Sequence, residues 1–78
     1  MSGLTLDQLA PGERGRITGF AVADAFSQRL MQLGLIEDTE VLMLRRAPAG
    51  DPLEVEVMGY ALSLRRAEAA MVTVTRAP

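Results

Sequence analysis

The feature that most constrains the fold is a strict alternation of apolar and acidic residues over positions 53–57, which read Leu-Glu-Val-Glu-Val. Successive side chains of a strand point to opposite faces, so this pattern predicts a strand with its valines inward and its glutamates outward. Gly59-Tyr60 follows and can supply a tight connection into residues 61–64. The two segments are therefore predicted to form a β-hairpin.

Local signals predict the other elements. Thr5 and Gln8 have capping-box spacing, and Asp24 precedes an apolar stripe of helical period that Gly34 ends. The apolar run at 41–44 indicates a strand covered on both faces. In chain order we expect a helical turn after Thr5, a strand over 14–20, a helix of about ten residues, a strand over 40–47, the hairpin, a helical turn over 66–70 and a strand over 71–75.

These elements are typical of a small barrel. Short strands with one inserted helix cannot bury both faces of a flat sheet, whereas curling the sheet closes most of its edges. We predict a single, mainly β domain over residues 1–78, a small SH3-like barrel of about five strands with one inserted α-helix. Periodicity does not predict the order of the strands, and at this length function is expected on the surface.

Three residue types that often carry reactive or metal-binding chemistry, namely cysteine, histidine and lysine, do not occur in the sequence. The chain has no cysteine and no histidine, and its 8 basic residues are all arginine. It therefore lacks a thiolate, an imidazole that titrates near neutral pH, and a lysine for a P-loop or a Schiff base. We expect a protein that is not an enzyme and uses no cofactor.

Charge and hydropathy limit the kinds of partner and the cellular location that we expect for this chain. The formal net charge of −2 opposes sequence-independent binding to phosphate backbones, so nucleic acid is not the expected partner. The first residues lack the basic start and apolar stretch of a signal peptide, and no apolar run reaches the roughly 18 residues that cross a bilayer. We expect a cytoplasmic protein with no direct membrane insertion.

Several short strings, taken together in their order and spacing, resemble the signature of the ferrous iron transport protein A (FeoA) family. They are Arg29-Leu30, Leu33-Gly34-Leu35, Gly50-Asp51-Pro52, Val55-Glu56-Val57, Gly59-Tyr60, Leu62-Ser63-Leu64-Arg65 and Glu68-Ala69. The resemblance runs from about Leu6 to Val74. It implies an SH3-like barrel with an inserted helix, and a small cytosolic protein that supports iron uptake by FeoB, a membrane ferrous iron transporter with a cytosolic GTP-binding domain.

One turn departs from the family pattern. Family members usually place a glycine a few residues after the Leu-Gly-Leu string, and here Asp38 and Thr39 stand in that turn. Aspartate tolerates a left-handed backbone better than most residues. We therefore expect the turn to be retained.

The helix supplies the first candidate docking residues. A helix of this length on a small barrel cannot bury its whole circumference, and methionine adapts to varied partner surfaces. We expect Leu33 to fill core, and Leu30 and Met31 to border an apolar docking groove for the transporter, with Gly34 beside them at the helix end.

Two further partner-binding candidates lie outside the helix. Asp51 belongs to a Gly-Asp-Pro turn, which backbone preferences explain, although an exposed tip on a rigid barrel can also contact a partner. Arg65, with Arg66 and the pair Arg45-Arg46, can bind acidic groups or phosphate, or can simply be solvated. Nothing in the strand positions of these arginines indicates the reach that an arginine finger needs.

The main prediction is an adaptor or regulator that docks on the cytosolic part of FeoB, and alternatives stay open. Asp51, Glu54 and Glu56 could bind Fe(II) weakly, but carboxylates without histidine make an unselective site. A small barrel can also bind single-stranded RNA, although the aromatic residues here are too widely separated for a stacking platform. Pairing with a second copy of the chain through a barrel edge or the helix is open as well.

Overall fold

Short antiparallel strands make up most of the regular structure. The computed structural model describes residues 4–21 and 24–77. Its elements are β1 (Leu4–Thr5), a 3₁₀ turn (Leu6–Gln8), β2 (Arg14–Phe20), α1 (Ala25–Gln32), β3 (Glu40–Arg46), β4 (Leu53–Val57), β5 (Tyr60–Leu64), α2 (Arg66–Ala69) and β6 (Val72–Arg76). The strands over 14–20 and 53–57, the inserted helix and both helical turns are confirmed, and the two-residue β1 is an addition that the sequence did not predict.

The strands form one 6-stranded sheet in the order β1-β6-β2-β3-β4-β5. All pairings are antiparallel, which confirms the mainly β prediction. The first and last strands of this order, β1 and β5, are the edges of the sheet. Helix α1 interrupts the chain between β2 and β3, which are themselves paired, so the helix is an insertion into the sequential run from β2 to β5. The last strand, β6, lies between β1 and β2.

One cluster of buried side chains forms the core. It draws on the 3₁₀ turn, both helices and all strands from β2 to β6, through Leu6, Leu9, Ile17, Leu30, Leu35, Val41, Met43, Leu53, Val55, Val57, Leu64, Ala69, Val72 and Val74. The inward valines predicted for β4 are confirmed by their burial. Arg46 holds the 3₁₀ turn in place, because its guanidinium donates to the backbone carbonyls of Asp7 and Leu9.

Strand β3 is buried on one face only, which corrects the expectation of a strand covered on both faces. Val41 and Met43 are buried, whereas Leu42 and Leu44 are half-buried. The physical reason is that this thin sheet has one core, so that side chains on the opposite face of β3 remain partly in contact with water. The apolar run at 41–44 therefore belongs to an ordinary alternating strand, in which Val41 and Met43 face the core and the outward residues Leu42 and Leu44 are apolar as well.

Helix α1 is capped at both ends. At its start the Ser27 N–H donates to Asp24 Oδ1 and the Asp24 N–H donates to Ser27 Oγ, each at 3.0 Å. At its end Gly34 has φ +106°, and the Leu35 and Gly34 N–H groups donate to the carbonyls of Leu30 and Met31 at 3.2 and 3.0 Å. This is a Schellman motif, which glycine favours because it has no Cβ to oppose a positive φ. No helix in residues 4–21 and 24–77 is long and apolar enough to cross a membrane.

The turn that follows α1 is the one in which this chain departs from the family pattern, with Asp38 where a glycine is usual. Asp38 has φ +73°, in the left-handed region where glycine is usually found. Its N–H donates to the Ile17 carbonyl at 2.7 Å, and its own carbonyl accepts from Arg16 at 2.9 Å. The expectation that aspartate retains this turn is confirmed, since the residue takes up the left-handed conformation and is hydrogen-bonded to β2.

Glu13 closes the turn at the start of β2. Its carboxylate accepts from the Ala10 N–H at 2.7 Å and from Arg76 Nε of β6 at 3.0 Å. These two hydrogen bonds favour the ionised carboxylate, the backbone one most strongly, and lower the pKa of Glu13 below its ordinary value. The same carboxylate thus ties the turn to the last strand.

Candidate protein-docking surface

Four large apolar side chains stay exposed in the described residues. They are Met31 at 39%, Ile36 at 41%, Met58 at 66% and Tyr60 at 44% of full exposure. Met31 lies in the last turn of α1, Ile36 follows that helix, and the other two belong to the β4–β5 hairpin. Single exposed apolar residues are normal, so their significance depends on whether they lie together.

Gly34 is the point where these segments meet. Its N–H donates to the Met31 carbonyl and its carbonyl accepts from the Ile36 N–H, both at 3.0 Å. The Tyr60 hydroxyl donates to the carbonyl of Leu33, which joins the hairpin to the end of α1. A Cβ placed on Gly34 would lie 2.8 Å from Tyr60 Oη. The glycine therefore lets the hairpin approach the helix end closely.

Met58 is the remaining exposed apolar residue that lies near Gly34. Its Sδ would lie 3.2 Å from a Cβ on Gly34. We call Met31, Gly34, Ile36, Met58 and Tyr60 the apolar cap. It combines a flexible, polarizable methionine with a rigid aromatic ring, and both residue types are enriched at the centres of protein–protein interfaces.

The backbone of Met58 is unfavourable for its side chain. Met58 and Gly59 form the two-residue connection between β4 and β5, with φ of +53° and +86°. This is the φ pattern of a type I′ turn, for which Asn-Gly is strongly preferred. The hairpin is confirmed, but the turn is Met58-Gly59 instead of Gly59-Tyr60, because Tyr60 already pairs with Val57. An exposed methionine thus occupies a position where local backbone energetics favour asparagine.

A groove of about 540 Å³ lies on another part of the surface. We call it the α1–β5 groove, and it is lined by Arg29, Asp51, Pro52, Ser63, Leu64, Arg65 and Glu68. Asp51 Oδ1 accepts from the Arg66 N–H at 3.0 Å, and Glu68 Oε1 accepts from the Arg65 N–H at 2.8 Å. Both carboxylates therefore satisfy N–H groups at the start of α2, which a helix leaves unpaired.

The structure divides the predicted partner-binding residues between these two surfaces. Met31 and Gly34 belong to the apolar cap, and Asp51 and Arg65 line the α1–β5 groove. Asp51 is exposed, as expected for a turn tip, but its carboxylate also ties this turn to α2. Their roles in binding a partner remain predictions.

Leu30 does not border a groove, and its placement corrects the prediction. It is 1% exposed and belongs to the core. Leu33, which was expected to fill core, is partly buried and packs against the core. The two residues lie about 60° apart around a helix, so one apolar stripe contains both. The packing of α1 places Leu30 at the centre of that stripe, and Leu30 is therefore removed from the candidate surface.

The sequence interpretation missed Ile36, Met58 and Tyr60 in the cap and Arg29 in the groove. A local signal for Met58 was present: a Met-Gly pair stands between two predicted strands where Asn-Gly is the usual turn. Tyr60 and Arg29 carried no such signal, because their positions depend on contacts with distant parts of the chain.

Two of the arginine candidates have structural partners. Arg45 Nε forms an ion pair with Glu54 Oε1 at 2.7 Å, and Arg46 is bound to the backbone of the 3₁₀ turn. In residues 4–21 and 24–77 no group of three or more acidic, histidine or cysteine side chains could hold a metal ion. Asp51, Glu54 and Glu56 thus do not come together as a site there.

Comparison with known proteins places the fold in a family. Residues 4–76 match the FeoA domain family. The chain belongs to this family. The solution structure of the FeoA protein from Chlorobium tepidum is 40% identical, with a TM-score of 0.88 over 96% of this chain and 71% of that one.

Two further FeoA relatives add detail. The crystal structure of Stenotrophomonas maltophilia FeoA, complexed with zinc, is 32% identical, with a TM-score of 0.79 over 91% of this chain and 88% of that one. It is described as a prokaryotic SH3 domain protein, which confirms the predicted SH3-like architecture. An Fe(2+) transport protein A/Fe(2+) transporter FeoB fusion protein of Porphyromonas gingivalis is 28% identical over 71 residues, and the match covers 91% of this chain but 8% of that protein.

Proposed function

We propose that this FeoA-family chain is a non-enzymatic accessory protein of ferrous iron uptake, and that it docks through the apolar cap on the cytosolic part of an FeoB-type transporter. The observation that carries the proposal is Met58, which is 66% exposed in a left-handed turn that favours another residue. Local rules are most often broken at functional positions, because selection there acts on the partner contact and not on stability.

The relatives support the choice of partner. In the Porphyromonas gingivalis protein a segment like this chain is joined to an FeoB transporter in one polypeptide. Linking two modules in this way gives them a high effective concentration, which favours their contact. For the Stenotrophomonas protein, a role as a bacterial ferrous iron transport activating factor has been suggested.

The proposed mechanism is differential binding. A partner without catalytic groups changes an equilibrium only to the extent that it binds one state of the transporter better than another. Met58 and Tyr60 reach the surface from one rigid hairpin that is fastened to α1 through the Leu33 carbonyl. Such a preorganised surface loses little conformational entropy on binding and can therefore distinguish two arrangements of a partner.

Replacement of Met58 by asparagine tests the proposal. Asparagine suits the left-handed turn, so Met58→Asn is expected to stabilise the hairpin by about 1 kcal/mol while removing the most exposed apolar side chain of the cap. Binding of the full chain to an isolated FeoB-type cytosolic domain, measured by interferometry with and without guanine nucleotide, should weaken more than about fivefold.

Asp38→Gly is the matched control. Asp38 also has a positive φ, so glycine relieves the backbone in the same way but removes only a polar exposed side chain. Both variants should unfold at a higher temperature than the unmodified chain, and only Met58→Asn should bind more weakly. Unchanged binding of Met58→Asn would contradict docking through the apolar cap.

A further inference from the structure

Strand β5 has one open edge. It stands at the end of the strand order, and among the strands of residues 4–21 and 24–77 it pairs with β4 alone. Val57 and Tyr60 flank the two-residue turn and form a hydrogen-bonded pair, and such pairs alternate with non-hydrogen-bonded ones along an antiparallel ladder. Ala61 and Ser63, which face Glu56 and Glu54, therefore direct their N–H and C=O groups away from β4.

The edge lacks the usual protection. Natural edge strands are kept from pairing by charged side chains, prolines or bulges. Strand β5 reads Tyr-Ala-Leu-Ser-Leu, without a charge or a proline, and its ladder with β4 runs without a register shift. Ala61 and Ser63 are both exposed. Their small side chains leave room for another backbone to approach.

The α1–β5 groove beside this edge offers positive hydrogen-bond donors. Its carboxylates, Asp51 and Glu68, accept the backbone N–H groups of Arg66 and Arg65, at the start of α2. Neither Arg29 nor Arg65 forms an ion pair through its guanidinium within the part of the chain that the structure describes. A guanidinium binds a carboxylate through two parallel hydrogen bonds. The groove lining carries two guanidiniums and two carboxylates and so has no net charge, and the guanidiniums are the groups through which it can bind a carboxylate ligand.

We propose that the open edge of β5 binds an extended, acidic peptide segment of a partner protein as an added strand. The segment's backbone pairs with Ala61 and Ser63, and its carboxylates reach Arg29 and Arg65. This is β-augmentation, in which main-chain hydrogen bonds supply affinity and neighbouring side chains supply specificity. The inference rests on the proposed function only for the identity of the partner, since Ala61, Ser63 and the residues that line the groove are not members of the apolar cap, although Tyr60 at the start of β5 is.

A synthetic peptide tests the pairing directly. The ¹⁵N-labelled chain is titrated with an octapeptide of alternating threonine and valine that ends in two glutamates. Hydrogen exchange of the Ala61 and Ser63 amides should slow at least about tenfold at saturation, because both donors become paired. The same peptide with N-methyl groups on alternate amides should bind at least about tenfold more weakly, since it cannot complete the ladder.

Two matched comparisons distinguish the contribution of backbone pairing to peptide binding from the contribution of charge. Ser63→Pro removes an outward donor without touching the ladder to β4 and should abolish binding, whereas Ser63→Ala should bind as the unmodified chain does. Arg65→Gln should weaken binding of the acidic peptide about fivefold or more, and should not change binding of a peptide with glutamines in place of the glutamates. If Ser63→Pro fails to fold, the N-methylated peptide decides the backbone question.

Defined outcomes overturn the inference. The absence of amide protection at millimolar peptide would exclude the β5 edge as an acceptor of such a strand. Protection of Ala61 and Ser63 without peptide, in a species that sedimentation shows to be a dimer, would assign the edge to a second copy of the chain. Neither result depends on the transporter, so loss of the peptide site with retained Met58-dependent transporter binding would leave the proposed function in place.

Discussion

Replacement of Gly34 by alanine should destabilise the fold where the hairpin meets the helix. At φ +106° an L-residue is strained by about 1 to 2 kcal/mol. The new Cβ would lie 2.8 Å from Tyr60 Oη, so the ring must move and its hydrogen bond to Leu33 is lost. Because this bond is exposed, its loss adds only about 0.5 kcal/mol, the lower end for a hydrogen bond. We expect a total of about 1.5 to 2.5 kcal/mol.

This loss is a large part of the available stability. At about 0.05 to 0.15 kcal/mol per residue, a chain of 78 residues has about 4 to 12 kcal/mol. Urea unfolding followed by far-ultraviolet circular dichroism measures the change for Gly34→Ala, Tyr60→Phe and the double variant. In the Tyr60→Phe background the clash with the hydroxyl is absent, so Gly34→Ala should cost about 0.5 kcal/mol less.

Two results would refute this reasoning. A cost below about 0.5 kcal/mol for Gly34→Ala would mean that the residue is not held at a positive φ. A cost that is the same in both backgrounds would mean that Tyr60 does not lie against Gly34 in solution. The first result would contradict the Schellman motif at Gly34. The second would contradict the contact between Tyr60 and Gly34 that defines the apolar cap.

Two further predictions concern burial and pH. Leu30→Ala should lower the free energy of unfolding by about 2 to 5 kcal/mol, because removing a fully buried side chain leaves a cavity. Met31→Ala should lower the free energy of unfolding much less, since Met31 is exposed. Equal urea midpoints for the two variants would contradict the burial of Leu30. Ionised Glu13 stabilises the fold because its pKa is lowered, so its contribution is complete above the unfolded pKa of about 4.5 and is lost as the pH falls through the lower folded pKa. The difference in melting temperature between the unmodified chain and Glu13→Gln should therefore shrink from pH 6 to pH 3, and a constant difference would refute the assignment.

Local structure was largely predictable from the sequence. The alternation at 53–57, the Asp24 cap and the Gly34 stop each depend on residues within one strand or one helical turn, and the structure has all of them. Asp38 is a further example, since a residue that tolerates a positive φ stands where the turn requires one. Such features follow from backbone preferences that act over a few positions.

The candidate surfaces were predictable only in part. Met31 was identified because part of the helix circumference must stay exposed and methionine adapts to partner surfaces, Gly34 because it ends the helix, and Asp51 because it lies in a turn. Leu30 was assigned wrongly because helical period defines a stripe but not the residue at its centre. Tyr60 was missed because its partner, the Leu33 carbonyl, is 27 positions away in the chain.

The amino-acid sequence by itself determined the five longer strands, the helix caps, the absence of cysteine, histidine and lysine, and the resemblance to the FeoA family, because each follows from a short segment or from composition. Only the tertiary structure decided that Met58 and Tyr60 lie against Gly34, that β5 ends the sheet, and that Arg29 and Arg65 line one groove. These arrangements join segments that are distant along the chain, and they arise from the way the helix and the strands pack around a single core.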